Sequence, residues 1–137
     1  MVPGLENAEF VRFGVIHRNT YVDSPKVLRD LQLQNVPEVY LAGQITGVEG
    51  YVESAAIGIL AGLLAGGFIQ STPPRTTAYG SLLAHLADDT DRQFAPMNIN
   101  WGILPDPDPV PRDKGVKRQM KLDRARQDFQ SWLTNGQ

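Results

Sequence analysis

From Leu41 to Ala56 a short apolar strand pattern passes through Gly43, Gly47 and Gly50 and continues into a long apolar helix pattern that begins at Tyr51. Few arrangements satisfy such a stretch. Glycines between a strand and a helix let the backbone approach a neighbour that a Cβ would hold away, and the helix start behind them leaves N–H groups without intrahelical partners. Anionic or electron-rich atoms are favoured there. The spacing differs from the G-x-G-x-x-G fingerprint of dinucleotide sites, which occurs nowhere in the chain, so any phosphate-binding half of such a fold has to lie elsewhere. The chain therefore reads as part of a longer protein.

At 137 residues, 42% of them hydrophobic, the chain can bury one modest core and cannot hold two full domains. Its net charge of −2 is unevenly spread. Arg112, Lys114, Lys117, Arg118, Lys121, Arg124 and Arg126 crowd a stretch whose acids are Asp113, Asp123 and Asp128. Such a face suits a phosphate backbone, although a solvated helix surface is the commoner explanation. The absence of cysteine removes disulfides, thiolate metal sites and a cysteine nucleophile, and two histidines, His17 and His85, are too few for a histidine metal centre. The amino terminus has no basic region followed by an apolar run, so a cytoplasmic protein is expected. The apolar run from Ala55 to Ile69 is shorter than the roughly 20 residues of a membrane span, and its glycines suit a buried helix.

Aromatic and β-branched residues predict a strand over 10–16, followed by the polar loop His17, Arg18, Asn19, Thr20 and Tyr21. Asp23, Ser24 and Pro25 read as a turn, and residues 28–34 fit a short strand or a short helix equally. Residues 39–42 read as a buried strand of parallel type. A helix is expected from Tyr51 to about Gln70, with Gly58, Gly62 and Gly66 along one face for close packing. Ser71 to Pro74 end it, and Thr76 or Thr77 caps a second helix over 78–87. Residues 88–93 form a polar link, 94–105 an irregular segment, and Pro105, Pro107, Pro109 and Pro111 keep the chain extended. Leu122, Ala125, Phe129, Trp132 and Leu133 recur at helical spacing and predict a terminal amphipathic helix with a basic outer face.

The glycine stretch fits a ligand-bearing loop and a bare strand-to-helix turn equally well on pattern alone. Gln44 favours the ligand, because an amide at a strand end can donate to or accept from a ring carbonyl or a hydroxyl. Glu49 and Glu53 fall at the first helical turn, where a carboxylate serves the helix dipole better than it serves catalysis. His17 and Tyr21 offer ring faces and Arg18 a guanidinium fork to a planar anion. His85 reads as a surface residue of the second helix. Asn98 and Asn100 suit a pocket wall or a turn.

The segments 3–10, 14–21, 43–56, 76–78 and 96–105 together resemble the carboxyl-terminal part of the bacterial folate- and flavin-dependent tRNA (uracil-54-C5)-methyltransferases. A sibling family, the flavoprotein that installs carboxymethylaminomethyl groups at the tRNA wobble uridine, shares the stretch from Gly43 to Tyr51 but not the segments around His17 and Asn98. The resemblance implies an α/β fold, a partial FAD-binding Rossmann-like domain represented by its carboxyl-terminal part with flanking helices. Residues 1–111 would belong to that domain, and 112–137 would be a basic amphipathic helix packed on it. It implies FAD reduced by NAD(P)H, 5,10-methylenetetrahydrofolate as carbon donor, and tRNA as substrate. Gly43, Gln44, Ile45, Thr46, Gly47, Gly50 and Tyr51 would contact FAD. His17, with Arg18 and Asn19, would meet the folate, and the basic helix the tRNA. No catalytic residue is assigned within the chain, because the family's cysteines and its pyrophosphate loop have no counterpart here. The expectation is a part that is inactive without the amino-terminal half, with a fragment of the wobble-uridine sibling or a non-catalytic RNA-binding remnant as the alternatives.

Overall fold

The computed structural model describes residues 3–4, 6–9, 19–90 and 93–135. Its elements are α1 (Ser24–Val27), β1 (Leu28–Arg29), β2 (Gln32–Leu33), β3 (Val36–Tyr40), a 3-10 turn (Gly43–Thr46), α2 (Tyr51–Ala65), α3 (Ala78–Leu86) and α4 (Lys114–Asn135). Helices and a small antiparallel sheet in the order β1-β2-β3 make this a mixed α/β fold. The predicted strand over 10–16 lies outside the described residues.

Asp23, Ser24 and Pro25 begin the single turn α1, where proline is tolerated because the first N–H groups have no intrahelical partner. Residues 28–34 resolve into a hairpin with Leu28 opposite Leu33 and Arg29 opposite Gln32. Its two-residue turn places Asp30 at φ 47° and Leu31 at φ 70°. Such a turn requires positive φ at both central positions and normally recruits asparagine and glycine. Leu31 adopts it because its side chain is 2% exposed within the core, and its carbonyl accepts the Leu41 N–H at 2.8 Å.

The buried parallel strand expected over 39–42 is instead the antiparallel β3, exposed along most of its length. Apolar content does not distinguish the two cases, and the tight turn after Leu33 pairs β3 with its sequence neighbour before any distant strand can compete. The register slips between Gln32 and Leu33, and Gln32 fills the irregularity by donating to the Pro37 carbonyl and, at 3.3 Å, to the Tyr40 hydroxyl.

The core lies between α2 and α3. Ile57, Leu60, Ala61 and Leu64 recur on one face of α2 and meet Leu82, Leu83 and Leu86 of α3, with Leu31 and Val48 beside them. Of the two threonines the sequence offers, Thr77 caps α3 by accepting the Gly80 N–H at 3.0 Å. A Cβ at Gly80 would stand 2.5 Å from the Pro73 carbonyl oxygen, so only glycine lets the proline pair lie against this helix. Helix α2 stops at Ala65, short of the expected Gln70. Gly67, at φ 68°, donates to the Leu64 carbonyl at 3.0 Å, and Phe68 donates to that of Leu63 at 2.9 Å, the pairing that closes a Schellman end. Gly58 and Gly62 face open space among the described residues, so the packing partner expected for this stripe is not found there. Tyr51, Val52 and Ile59 lie exposed beside them.

Helix α4 docks through aromatic side chains. Phe129 stacks on Tyr79 at 5.6 Å and on Trp132 at 5.5 Å, and the Trp132 indole donates to the Ser71 carbonyl at 3.3 Å. At the other end of the helix the basic residues divide. Lys121 is 3% exposed, and its ammonium donates to the carbonyls of Trp101 at 2.7 Å and Leu104 at 2.6 Å while pairing with Asp106 at 2.8 Å. Lys117 pairs with the other Asp106 oxygen at 2.7 Å, and Arg124 donates to the carbonyls of Pro105 and Asp106. The basic outer face expected for this helix is thus partly turned inward. Carbonyls of this irregular segment that are buried against α4 need donors, and cationic side chains supply them.

Replacing Leu31 with Ala should lower the unfolding free energy by about 2–5 kcal/mol. Asp30→Gly, at the exposed position of the same turn, should change it by about 1 kcal/mol or less. Urea titration of both variants checks this, and equal losses would show that the turn matters more than the buried side chain. Hydrogen bonds from Lys117 and Lys121 hold the Asp106 carboxyl below its ordinary pKa. A carboxylate depressed in the folded state stabilises above its unfolded pKa of about 3.9, and the gain disappears as pH falls through the lower folded value. Thermal midpoints should therefore fall more steeply below about pH 4 for the native chain than for Asp106→Asn, and parallel slopes would remove Asp106 from the account of acid sensitivity.

Candidate cofactor site

The turn joining β3 to α2 is fixed from both sides by backbone pairing. On one side Val22 donates to the Ile45 carbonyl at 2.9 Å, and the buried Ser24 hydroxyl donates to that of Thr46 at 2.7 Å. On the other side Met97 donates to the Gly47 carbonyl at 2.9 Å, Glu49 donates to that of Met97 at 3.3 Å, and Val48 and Met97 form a parallel bridge. Ser54 of α2 donates from its hydroxyl to the Val48 carbonyl at 3.1 Å. The turn is thus held independently of any ligand.

Gly43 and Gly47 take φ of 74° and 92°. A Cβ at Gly47 would also lie 2.6 Å from the Phe94 ring, so two separate constraints demand glycine there. Phe94 is the centre of an aromatic group: Tyr21 meets it edge-on at 6.0 Å, and His85 lies against it at 5.4 Å. The His85 ring is half-buried and pairs with the Ala95 carbonyl at 3.0 Å. It is therefore a packing residue rather than a free surface group.

The residues singled out in the sequence fall into distinct environments. Thr46 is fully buried, and its hydroxyl donates to the Gly43 carbonyl at 2.7 Å, so that side chain supports the turn. Gln44 and Ile45 are exposed beside it. Gly50 caps α2 and Tyr51, 96% exposed, projects from its start. Asn19 is exposed, whereas His17 and Arg18 lie outside the described residues. Asn100 accepts the Gly102 N–H at 2.8 Å, a local turn rather than a pocket wall, and Asn98 is exposed. Phe94, Ser24 and Ser54 were not distinguishable in the sequence. Phe94 and Ser24 act through partners remote in the chain, Ser54 through Val48 six residues before it, and only the glycine pattern hinted that something must lie close.

Within α2 the first N–H to find an intrahelical carbonyl is that of Ser54, which donates to Gly50 at 2.8 Å. The N–H groups of Tyr51, Val52 and Glu53 precede it and have no intrahelical partner, so they offer donors to a ligand. Glu53 sets a limit on what can bind. Its carboxylate folds over Gly50 and accepts the Ile99 N–H at 3.3 Å, so a negative charge already sits at this helix start. Neutral carbonyl oxygens fit here better than a phosphate.

Gly47→Ala should cost about 1–2 kcal/mol for the left-handed backbone alone, and more from displacement of Phe94. A fall in the thermal midpoint accompanied by altered near-ultraviolet signal from the aromatic group is expected. A variant as stable as the native chain would show that the turn rearranges freely.

The chain shares 49% identity with the methylenetetrahydrofolate--tRNA-(uracil-5-)-methyltransferase TrmFO of Agrobacterium fabrum across 97% of its own length and 33% of that protein. Similarly named proteins of Syntrophomonas wolfei and Moorella thermoacetica are 48% and 46% identical, covering 91% and 100% of the chain and 30% and 32% of their own lengths. The chain thus spans about a third of the length of the curated relatives it matches. The family model described as Glucose inhibited division protein A matches residues 1–73, more than half of the chain, and it is to this family that the chain belongs.

Proposed function

We propose that this chain is the carboxyl-terminal, flavin- and folate-facing part of an enzyme that forms 5-methyluridine at position 54 of the tRNA T loop. The observation that carries the reading is identity of 46–49% over nearly the whole chain to proteins named for that transfer. The segment around Asn98, which separates these proteins from the wobble-uridine sibling, lies within the matched length. FAD, when bound, supplies electrons drawn from NAD(P)H, and 5,10-methylenetetrahydrofolate supplies the carbon. Residues 1–111 are read as the end of a Rossmann-like FAD-binding domain, and 112–137 as a helix on the same domain. The ties of Lys121 and Arg124 to residues 101–106 support that attachment.

Gly43 and Gly47 give the turn its left-handed backbone, and the turn is proposed to present its outer edge to the flavin. The N–H groups of Tyr51 and Val52 and the Gln44 amide bond to ring carbonyls or ribityl hydroxyls, with Ile45 and Thr46 shaping the turn and Gly50 setting the helix start. The carboxylate of Glu53 at that helix start favours the uncharged flavin end over the pyrophosphate, which fits a chain without a pyrophosphate loop. His17, Arg18 and Asn19 are proposed to receive the folate. Among the described residues no helix is long and apolar enough to cross a membrane, and a cytoplasmic setting goes with a tRNA substrate.

Purification of the chain alone and with a co-expressed amino-terminal portion of a relative tests the reading. Flavin absorbance and transfer of labelled carbon to tRNA are expected only from the pair. A colourless pair, or a coloured one that labels a wobble uridine instead, would overturn it.

A further inference from the structure

A cleft of about 350 Å³ at the amino-terminal end of α4 is lined by Trp101, Gly102, Asp106, Lys114, Lys117, Arg118 and Lys121. Trp101 stands at its mouth, 43% exposed, with the Arg118 guanidinium 5.9 Å from the ring centroid. The backbone that carries the indole is held in place. The Trp101 carbonyl is held by the buried Lys121, and the next residue is held by the Asn100 side chain, which accepts the Gly102 N–H. The backbone on both sides of the ring is thus fixed, and the ring itself stays partly exposed among the described residues.

The charges around the cleft are of two kinds. Asp106 is engaged by Lys117 and Lys121, one on each oxygen. Lys114 and Arg118, one helical turn apart on the same face, pair with no carboxylate among the described residues. A partly exposed aromatic ring beside two cations without carboxylate partners, one of them over the ring, is the combination that takes a stacked base with its neighbouring phosphates. An acidic peptide would use the cations and leave the ring without a partner. We propose that this cleft is an RNA contact of the enzyme, with one unpaired base lying on Trp101 and the flanking phosphates on Lys114 and Arg118. The inference rests on the tRNA-directed reading above. It narrows the basic helix to one end and assigns Lys117, Lys121 and Arg124 to structure.

The test is binding of a T-arm hairpin RNA to the 137-residue chain, measured by anisotropy, and of whole tRNA to the co-expressed pair. Trp101→Ala should weaken binding about fivefold or more, with Trp101→Phe close to native. Lys114→Ala and Arg118→Ala should each weaken it and lower the slope of log affinity against log salt by about one. Arg126→Ala, an exposed cation elsewhere on α4, should leave both unchanged. Circular dichroism confirms that each variant is folded. Affinity unchanged by Trp101→Ala, a native chain that does not bind the hairpin, or equal and equally tryptophan-dependent binding of polyglutamate overturns the inference. Its failure is separable from failure of the enzymatic reading: flavin absorbance and labelling persist in a pair whose cleft variants bind tRNA normally, whereas a pair lacking both contradicts the earlier reading itself.

Discussion

The pairing of Gly47 with Met97 is the contact on which the rest of the structure depends. Two hydrogen bonds, Met97 N–H to the Gly47 carbonyl and Glu49 N–H to the Met97 carbonyl, join segments fifty residues apart. Val48, between them, is completely buried. Because the turn is pinned there, α2 leaves it in one direction, its apolar face reaches α3, and Phe94 is delivered against Gly47. The bond from Ile99 to Glu53 extends the same seam to the start of the helix. A loop so tied can present backbone donors in a fixed arrangement, which is what a weakly charged planar ligand requires of a site.

A second lock holds the carboxyl-terminal third. The prolines around Asp106 have no N–H to offer, so the carbonyls near them cannot be satisfied by regular pairing. Lys121 enters that gap as a buried cation with three oxygen partners, and Asp106 shares its charge with Lys117. The aromatic stack of Tyr79, Phe129 and Trp132 fastens the other end of α4. Charge that looks like a nucleic-acid signal in the linear sequence is in part the donor set of an irregular segment. What remains unpaired near Trp101 is a smaller and better defined feature.

Local chemistry explains which elements were readable. A threonine cap and the apolar spacing of α3 act within one turn, so the sequence states them directly. The long helix behind the glycines was equally plain, but its end was not. Gly66 and Gly67 stop it five residues early, although apolar residues continue to Ile69. The hairpin before the turn was ambiguous because Leu31 breaks the usual residue rule for its backbone, and a core contact compensates. Strand direction at β3 was misread because composition carries no information on it. At the turn, the need for glycine at Gly43 and Gly47 was legible, while the contacts of Phe94, Ser24 and Ser54 were not.

By itself, the sequence determined the presence of the three long helices, a threonine cap on α3, the need for close backbone approach at the glycine turn, and the family resemblance. All of these depend on residue types at short spacing. Only the tertiary structure decided which cations are structural, which glycine faces an aromatic ring, and where the donors at the start of α2 stand relative to Glu53. Those outcomes rest on contacts such as Lys121 with Leu104, Gly47 with Phe94 and Glu53 with Ile99. Each joins residues far apart in the chain, and their energies exist only once the core has brought them together.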